Sequence, residues 1–264
     1  MNATIRVGIG GWVYEPWRQT FYPSGLPAAQ ALAYASRRLD AIEVNGTFYR
    51  LQHPSTFAAW RDETPEGFVF ALKAPRFATY RRDLGEVGEA AARFVASGIA
   101  ELGAKLGPLL WQLAPNKRFD AAEVQVFMQA LPREAGGRPL RHVLEPRHES
   151  FRCAEYVELA RRLGLATVFT DSDEHPSFAD LSGDFVYARL MRTQSDEPEG
   201  VPAPALDALA ACARAWRDGG EPEGLPRVLP PPPASAARDV YLFFIAGAKE
   251  RAPAAAMALR SRLA

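Results

Sequence analysis

The chain has few of the residues that would make it a disulfide-stapled or zinc-stapled protein. Its 264 residues include only two cysteines, Cys153 and Cys212, and four histidines. Two cysteines cannot build a disulfide framework, and no paired-cysteine spacing of the zinc type occurs, so both thiols are expected to stay reduced and idle. Charge of one sign is also missing. Lys plus Arg and Asp plus Glu both total 31, so no global field draws the chain to nucleic acid or an anionic membrane. No apolar run approaches the ~20 residues that cross a bilayer. Met1 to Arg6 carries no basic region followed by a long apolar one, so a cytoplasmic location is expected.

What the chain does have is a repeated pattern. Ile42 and Val44 flank Glu43 and lead to Asn45. Phe68–Leu72 ends at Lys73, Leu109–Trp111 at Gln112, and Val143–Leu144 at Glu145. Thr167–Thr170 ends at Asp171, and Phe185–Ala188 at Arg189. Two more apolar runs, Ile5–Gly10 and Val240–Ile245, flank the set. Short runs bounded by turns read as buried strands, and helix-like segments separate them. Eight strands fed by helical crossovers predict an α/β fold of the TIM (β/α) barrel type, one domain over residues 1–264. The polar strand ends would then share one mouth. Charge beside a core is costly unless compensated, so this convergence marks a candidate site.

Between the strands, helices are expected over Ala28–Leu39, from Pro54, over Glu86–Leu106, from Asp120 to Leu131, over Glu155–Leu163, over Ala205–Arg217 and over Pro253–Leu263. Asp120 reads as an N-cap and Gly164 as a carboxy-terminal cap. Residues 219–234 break the rhythm with dense proline and glycine, including Pro230–Pro233. This segment joins a helix to the last strand, so it is expected to be an exposed, mobile insertion on the face opposite the site.

The motifs together resemble the YecE-like family, domain of unknown function 72. The resemblance rests on Gly8-Ile9-Gly10-Gly11-Trp12 with Tyr14, Trp17, Phe21, Tyr22 and Pro23. It continues through Glu43-Val44-Asn45-Gly46-Thr47-Phe48-Tyr49 and Phe70-Ala71-Leu72-Lys73-Ala74-Pro75-Arg76, then Gly107 to Leu113 and Glu145-Pro146-Arg147-His148. It spans nearly the whole chain and implies a TIM-like barrel, similar in shape to sugar isomerases and metal-dependent endonucleases. Two departures stand out. Pro146, Glu149 and Phe151 stand where the family usually has Phe-Arg-His-Pro followed by Trp. Ile245-Ala246-Gly247-Ala248 replaces a pair of asparagines near an aspartate. Loss of those amides removes hydrogen-bonding capacity from one side of the mouth.

Glu43 and Asn45 lie two apart and so share a strand face. With Lys73, Gln112, Glu145, Asp171 and Arg189 they would form one cup, with Arg76, Arg147 and His148 above it. A closed lattice of salt bridges is one outcome. A ligand pocket is the stronger expectation, because ion pairs fill a barrel less favourably than hydrocarbon. Arg76, Arg147, Arg189 and Lys73 outnumber the three carboxylates, which favours an anionic guest such as a phosphorylated or carboxylated sugar derivative. Trp12, Tyr14, Trp17 and Tyr49 would either offer it a flat wall or close the barrel as a hydrophobic lid. Glu43 or Glu145 would serve as acid–base group, and Lys73 would stabilise developing negative charge or form a Schiff base. Whether the chain is a hydrolase, a lyase, an isomerase or no enzyme is left open. The alternatives are a divalent-metal-dependent hydrolase or isomerase using Glu43, Glu145, Asp171 and His148, and a non-catalytic binding or scaffold barrel. No residue is assigned as a metal ligand and the cofactor is left unknown. No nucleic-acid or membrane partner is expected.

Overall fold

In the computed structural model, which describes residues 3–231 and 236–264, eight parallel strands close into a barrel. They are β1 (Ile5–Gly10), β2 (Ala41–Val44), β3 (Val69–Lys73), β4 (Leu106–Gln112), β5 (His142–Glu145), β6 (Ala166–Thr170), β7 (Phe185–Leu190) and β8 (Asp239–Phe244). Each pairs with its neighbour in sequence, and β1 closes the ring against β8. A two-residue ladder, Glu134–Ala135 with Arg138–Pro139, sits apart from the barrel sheet.

Alternation along each strand divides the apolar residues into two separate clusters. Ala41, Val69, Ala71, Leu110, Val143, Val168, Tyr187 and Phe243 fill the lumen. Ile42, Phe70, Leu72, Leu109, Trp111 and Leu144 point outward to the helices. A residue two places beyond a lumen residue faces the lumen again. That parity sets what reaches the mouth: Glu43 follows Ala41, Lys73 follows Ala71, Gln112 follows Leu110, Glu145 follows Val143, and Arg189 follows Tyr187. In β4 the parity depends on an irregularity. The register slips between Phe70 and Leu72, which pair with Leu106 and Leu109. Gly107 permits it, since a Cβ there would lie 2.4 Å from Val69 Cγ1.

Helices Pro54–Glu63, Ala121–Ala130, Ala154–Leu163, Ala203–Arg217 and Ala252–Leu263 form as the sequence predicts. The Asp120 side chain accepts the Glu123 amide at 2.9 Å, and Gly164 ends its helix at φ 62°. Two expected helices are shorter. The first is Ala31–Ser36, preceded by a 3-10 turn at Ala28–Gln30. The second stops at Val95, followed by a tighter segment over Ile99–Lys105. Its break is at Gly98, with φ 108° and Pro54 packed so close that a Cβ would lie 2.6 Å from its Cα.

Part of the insertion expected at 219–234 is docked on the barrel rather than exposed. The crossover from β6 to β7, residues 171–184, contains no helix. Residues 225–229 pack there instead, with Leu225, Val228 and Leu229 half-buried against the outer core. The Asp180 carboxylate accepts the amides of Val228 and Leu229, each at 2.9 Å, and the Ala179 amide donates to Pro226 O at 2.8 Å. The segment thus covers a barrel face that lacks a crossover helix. Residues 232–234 of the predicted insertion lie outside the described residues. No helix among the described residues is long and apolar enough to cross a membrane.

Candidate functional site

Arg189 is at the centre of the mouth. Its Nε donates to Glu43 Oε2 at 3.0 Å and one terminal nitrogen to Glu43 Oε1 at 3.1 Å, a two-pronged pair across the lumen from β7 to β2. Its other terminal nitrogen donates to Glu145 Oε1 on β5 at 2.6 Å. Arg147 donates to the same Oε1 at 2.7 Å, and Gln112 Nε2 to Glu145 Oε2 at 2.6 Å. The Tyr187 hydroxyl donates to Glu43 Oε2 at 2.8 Å. Glu43, Glu145 and Arg189 are all buried. Burial works against the Glu145 carboxylate, but Arg189, Arg147, the Gln112 amide and Lys73 outweigh it and hold its pKa down to about 2. Burial and the neighbouring Glu43 raise the Tyr187 phenol well above its ordinary value. Burial disfavours the charged Arg189, yet the two carboxylates raise its pKa above the usual value and keep it charged.

Lys73 differs from its neighbours. It is 8% exposed at the end of β3, and its Nζ lies 4.0 Å from the centre of the Phe48 ring. Among the described residues it has no hydrogen bond or ion pair through that nitrogen; the Thr47 hydroxyl holds only its backbone carbonyl, at 2.7 Å. Burial and the nearby Arg189 lower its pKa to about 8, with Glu43 and Glu145 opposing. A second donor at the mouth, Arg147 Nε, is buried with no partner.

The structure therefore brings together Glu43, Lys73, Gln112, Glu145, Arg147 and Arg189, with Asn45 half-buried beside them near Gly10. It separates others. Asp171 is corrected: it falls on the other parity, one past the lumen-facing Thr170, and its carboxylate accepts the Met191 amide at 2.6 Å. Burial there raises its pKa, and it takes no part in the Arg189 lattice. Two carboxylates rather than three face Lys73, Arg147 and Arg189, leaving one positive charge in excess. Arg76 is exposed at the rim, beside Tyr80. His148 accepts the Ser150 amide through Nδ1 and caps the turn Glu149–Phe151.

The aromatic wall also differs from expectation. Trp12 packs edge-on against Trp60 and Phe70, on the outward face of β3. Tyr14 packs on Trp17 and under Lys249. Tyr49 is 73% exposed, its ring against Phe48. Ile245, in place of the family's amides, packs against the lumen cluster and gives the β8 side an apolar edge. Two residues that matter were not singled out from sequence. Tyr187 was within reach of the alternation rule, being two before Arg189. Phe48 was not, because the helical turn Gly46–Tyr49 reorients its ring. Among the described residues no three His, Cys, Asp or Glu side chains gather as a metal ligand set. The oxygens of Glu43 and Glu145 are directed at Arg189, Arg147, Gln112 and Tyr187.

Comparison with known proteins places the chain in a family. UPF0759 protein YecE of Escherichia coli strain K12 is 24% identical over 150 residues, which is 56% of this chain and 50% of that protein. The chain thus spans about half the length of the curated relatives it matches. A crystal structure of a DUF72 family protein from Thermotoga maritima superposes with a TM-score of 0.74 at 21% identity, covering 98% of this chain and 99% of the other. A DUF72 family protein from Enterococcus faecalis gives 0.68 at 15% identity, covering 99% and 98%. At these identities the likeness concerns the fold. The model of the family described as "Protein of unknown function DUF72" matches residues 6–264, and the chain belongs to that family.

Proposed function

We infer that the mouth binds a small anionic metabolite, one carrying a phosphate or carboxylate on a compact polar body. The observation that carries this reading is the pair of donors without partners, Lys73 Nζ and Arg147 Nε, in a cup with one excess positive charge. The buried Arg147 Nε, left unmatched, costs about 1–3 kcal/mol, which an incoming oxyanion would recover. The Glu43–Arg189–Glu145 lattice supports the ligand from beneath and keeps both carboxylates from repelling it. Glu145, held ionised, is a poor proton donor near neutrality, so Lys73 is the better candidate for proton exchange.

Thermal unfolding with matched pairs of compounds tests the reading: sugar phosphates against the parent sugars, and short hydroxy acids against their alcohols. The anionic member of a pair should raise Tm and the neutral one should not. Lys73→Ala should remove that rise while leaving far-UV circular dichroism unchanged. Glu145→Gln is a less clean probe, since Glu145 ties three neighbours together in a buried site. Equal response to charged and neutral compounds would refute the proposal.

A further inference from the structure

Charge alone does not explain why position 73 is a lysine. The chain has four lysines and 27 arginines, so arginine is its usual cation, even at Arg189 and Arg147 inside the same cup. The other three lysines are accounted for by their contacts. Lys105 Nζ donates to Thr64 Oγ1 at 3.0 Å, Lys117 Nζ to Arg82 O at 2.7 Å, and Lys249 Nζ lies 4.7 Å from the Tyr14 ring centre. Lys73 Nζ, like that of Lys249, meets no oxygen, only a ring face, and it does so although Glu43 and Glu145 share its cup. Both carboxylates are committed to Arg189, so neither pins the amine as an ammonium. Lysine can do one thing there that arginine cannot: lose its proton and attack carbon.

We propose that Lys73 is a catalytic nucleophile that forms an imine with an aldehyde or ketone carrying a carboxylate or phosphate. This rests on the anion-binding reading above and adds the carbonyl to the ligand's chemistry. The neutral amine attacks the carbonyl carbon, forming an N–C bond while the C=O π pair moves to oxygen. A proton passes from nitrogen to that oxygen, giving a carbinolamine. The C–O bond then breaks as the nitrogen lone pair forms C=N, the remaining N–H proton passes to the departing hydroxide, and water leaves. Amine plus carbonyl becomes imine plus water, with no change of oxidation state. The ligand's anionic group would face Arg147, whose Nε is the other unmatched donor. A pKa of about 8 leaves Lys73 far more neutral amine near pH 7.5 than an ordinary lysine has, on the order of a hundredfold.

The test uses the whole protein with glyoxylate as an anionic aldehyde, propionaldehyde as a neutral one, and borohydride to trap the imine. Peptide mapping then reads labelling at each of the four lysines. Glyoxylate should label Lys73 at least tenfold faster than Lys105, Lys117 or Lys249, and propionaldehyde should show a smaller preference. Excess inorganic phosphate should slow labelling at Lys73 alone. Lys73→Arg should lose the selective adduct yet keep stabilisation by phosphate, because the charge remains. Labelling of Lys73 no faster than the other three would overturn the imine. If phosphate still stabilises the protein in that case, the binding site survives without it. If phosphate neither stabilises nor protects, the anion reading falls as well.

Discussion

The two ends of the barrel carry similar residues with opposite consequences. At the base, Arg141 donates to Asp239 at 2.6 Å and to the Tyr241 hydroxyl at 3.2 Å, and Arg6 lies 3.8 Å from the same aspartate. His142 is fixed between Trp111, whose indole donates to Nδ1 at 3.0 Å, and Pro132 O, 2.7 Å from Nε2. A hollow of about 700 Å³ opens there, lined in part by Arg141, His142, Phe185 and Tyr241. Yet Arg141, His142 and Tyr241 there each have a hydrogen-bond partner. The mouth holds Lys73 Nζ and Arg147 Nε without oxygen partners. Unmet donors, rather than cavity size, distinguish a binding end from a structural one.

The sharpest way to break this comparison is Arg189→Met, which strips the shared cation from two buried carboxylates. It should cost about 3–5 kcal/mol in urea unfolding, the penalty for orphaning a buried charge. Next comes acid. Burial lowers the His142 pKa from 6.5 to about 4. Unfolded His142 therefore binds a proton that the native one refuses, and stability should decline as pH falls from 6.5 to 4. The loss is up to about 3 kcal/mol and should be flattened by His142→Gln. Glu145, with its pKa lowered from 4.5 to about 2, adds its own loss only below pH 4.5. The base should thus weaken before the mouth in a series of urea midpoints against pH.

Lys73 gives the same sign as His142, in a higher pH window. Its depressed pKa means that the folded state carries the cost of a buried charge below pH 8 and sheds it as pH rises from 8 to 10.5. Lys73→Met should therefore be more stable than the parent at pH 7, by on the order of 2 kcal/mol, with the gap closing across that window. Asp239→Asn at the half-exposed base pair should have the smallest effect, about 1 kcal/mol or less, since solvent screens Arg141.

Much of this was legible in the sequence because strand parity is a strong constraint. Once Ala41, Ala71, Leu110, Val143 and Tyr187 face the lumen, Glu43, Lys73, Gln112, Glu145 and Arg189 must follow. Asp171 went wrong where the end of an apolar run was allowed to stand for parity: Thr170 continues the lumen side of β6, and Asp171 turns away to cap Met191. The aromatic loop was misplaced for another reason. Trp12 and Tyr14 are drawn to partners distant in sequence, Trp60 and Lys249, which no local pattern reveals. Likewise, the composition of 219–231 signals a loop but not its docking onto 178–181, which follows from the missing helix in the β6–β7 crossover.

The most direct measurement is the titration of the four lysine side chains by NMR, using lysine labelled with carbon-13 at Cε and assigned through Lys73→Arg. One signal, that of Lys73, should titrate near pH 8 in the free protein and move upward when phosphate is added. A Lys73 signal titrating at the ordinary lysine value, with or without phosphate, would contradict the account.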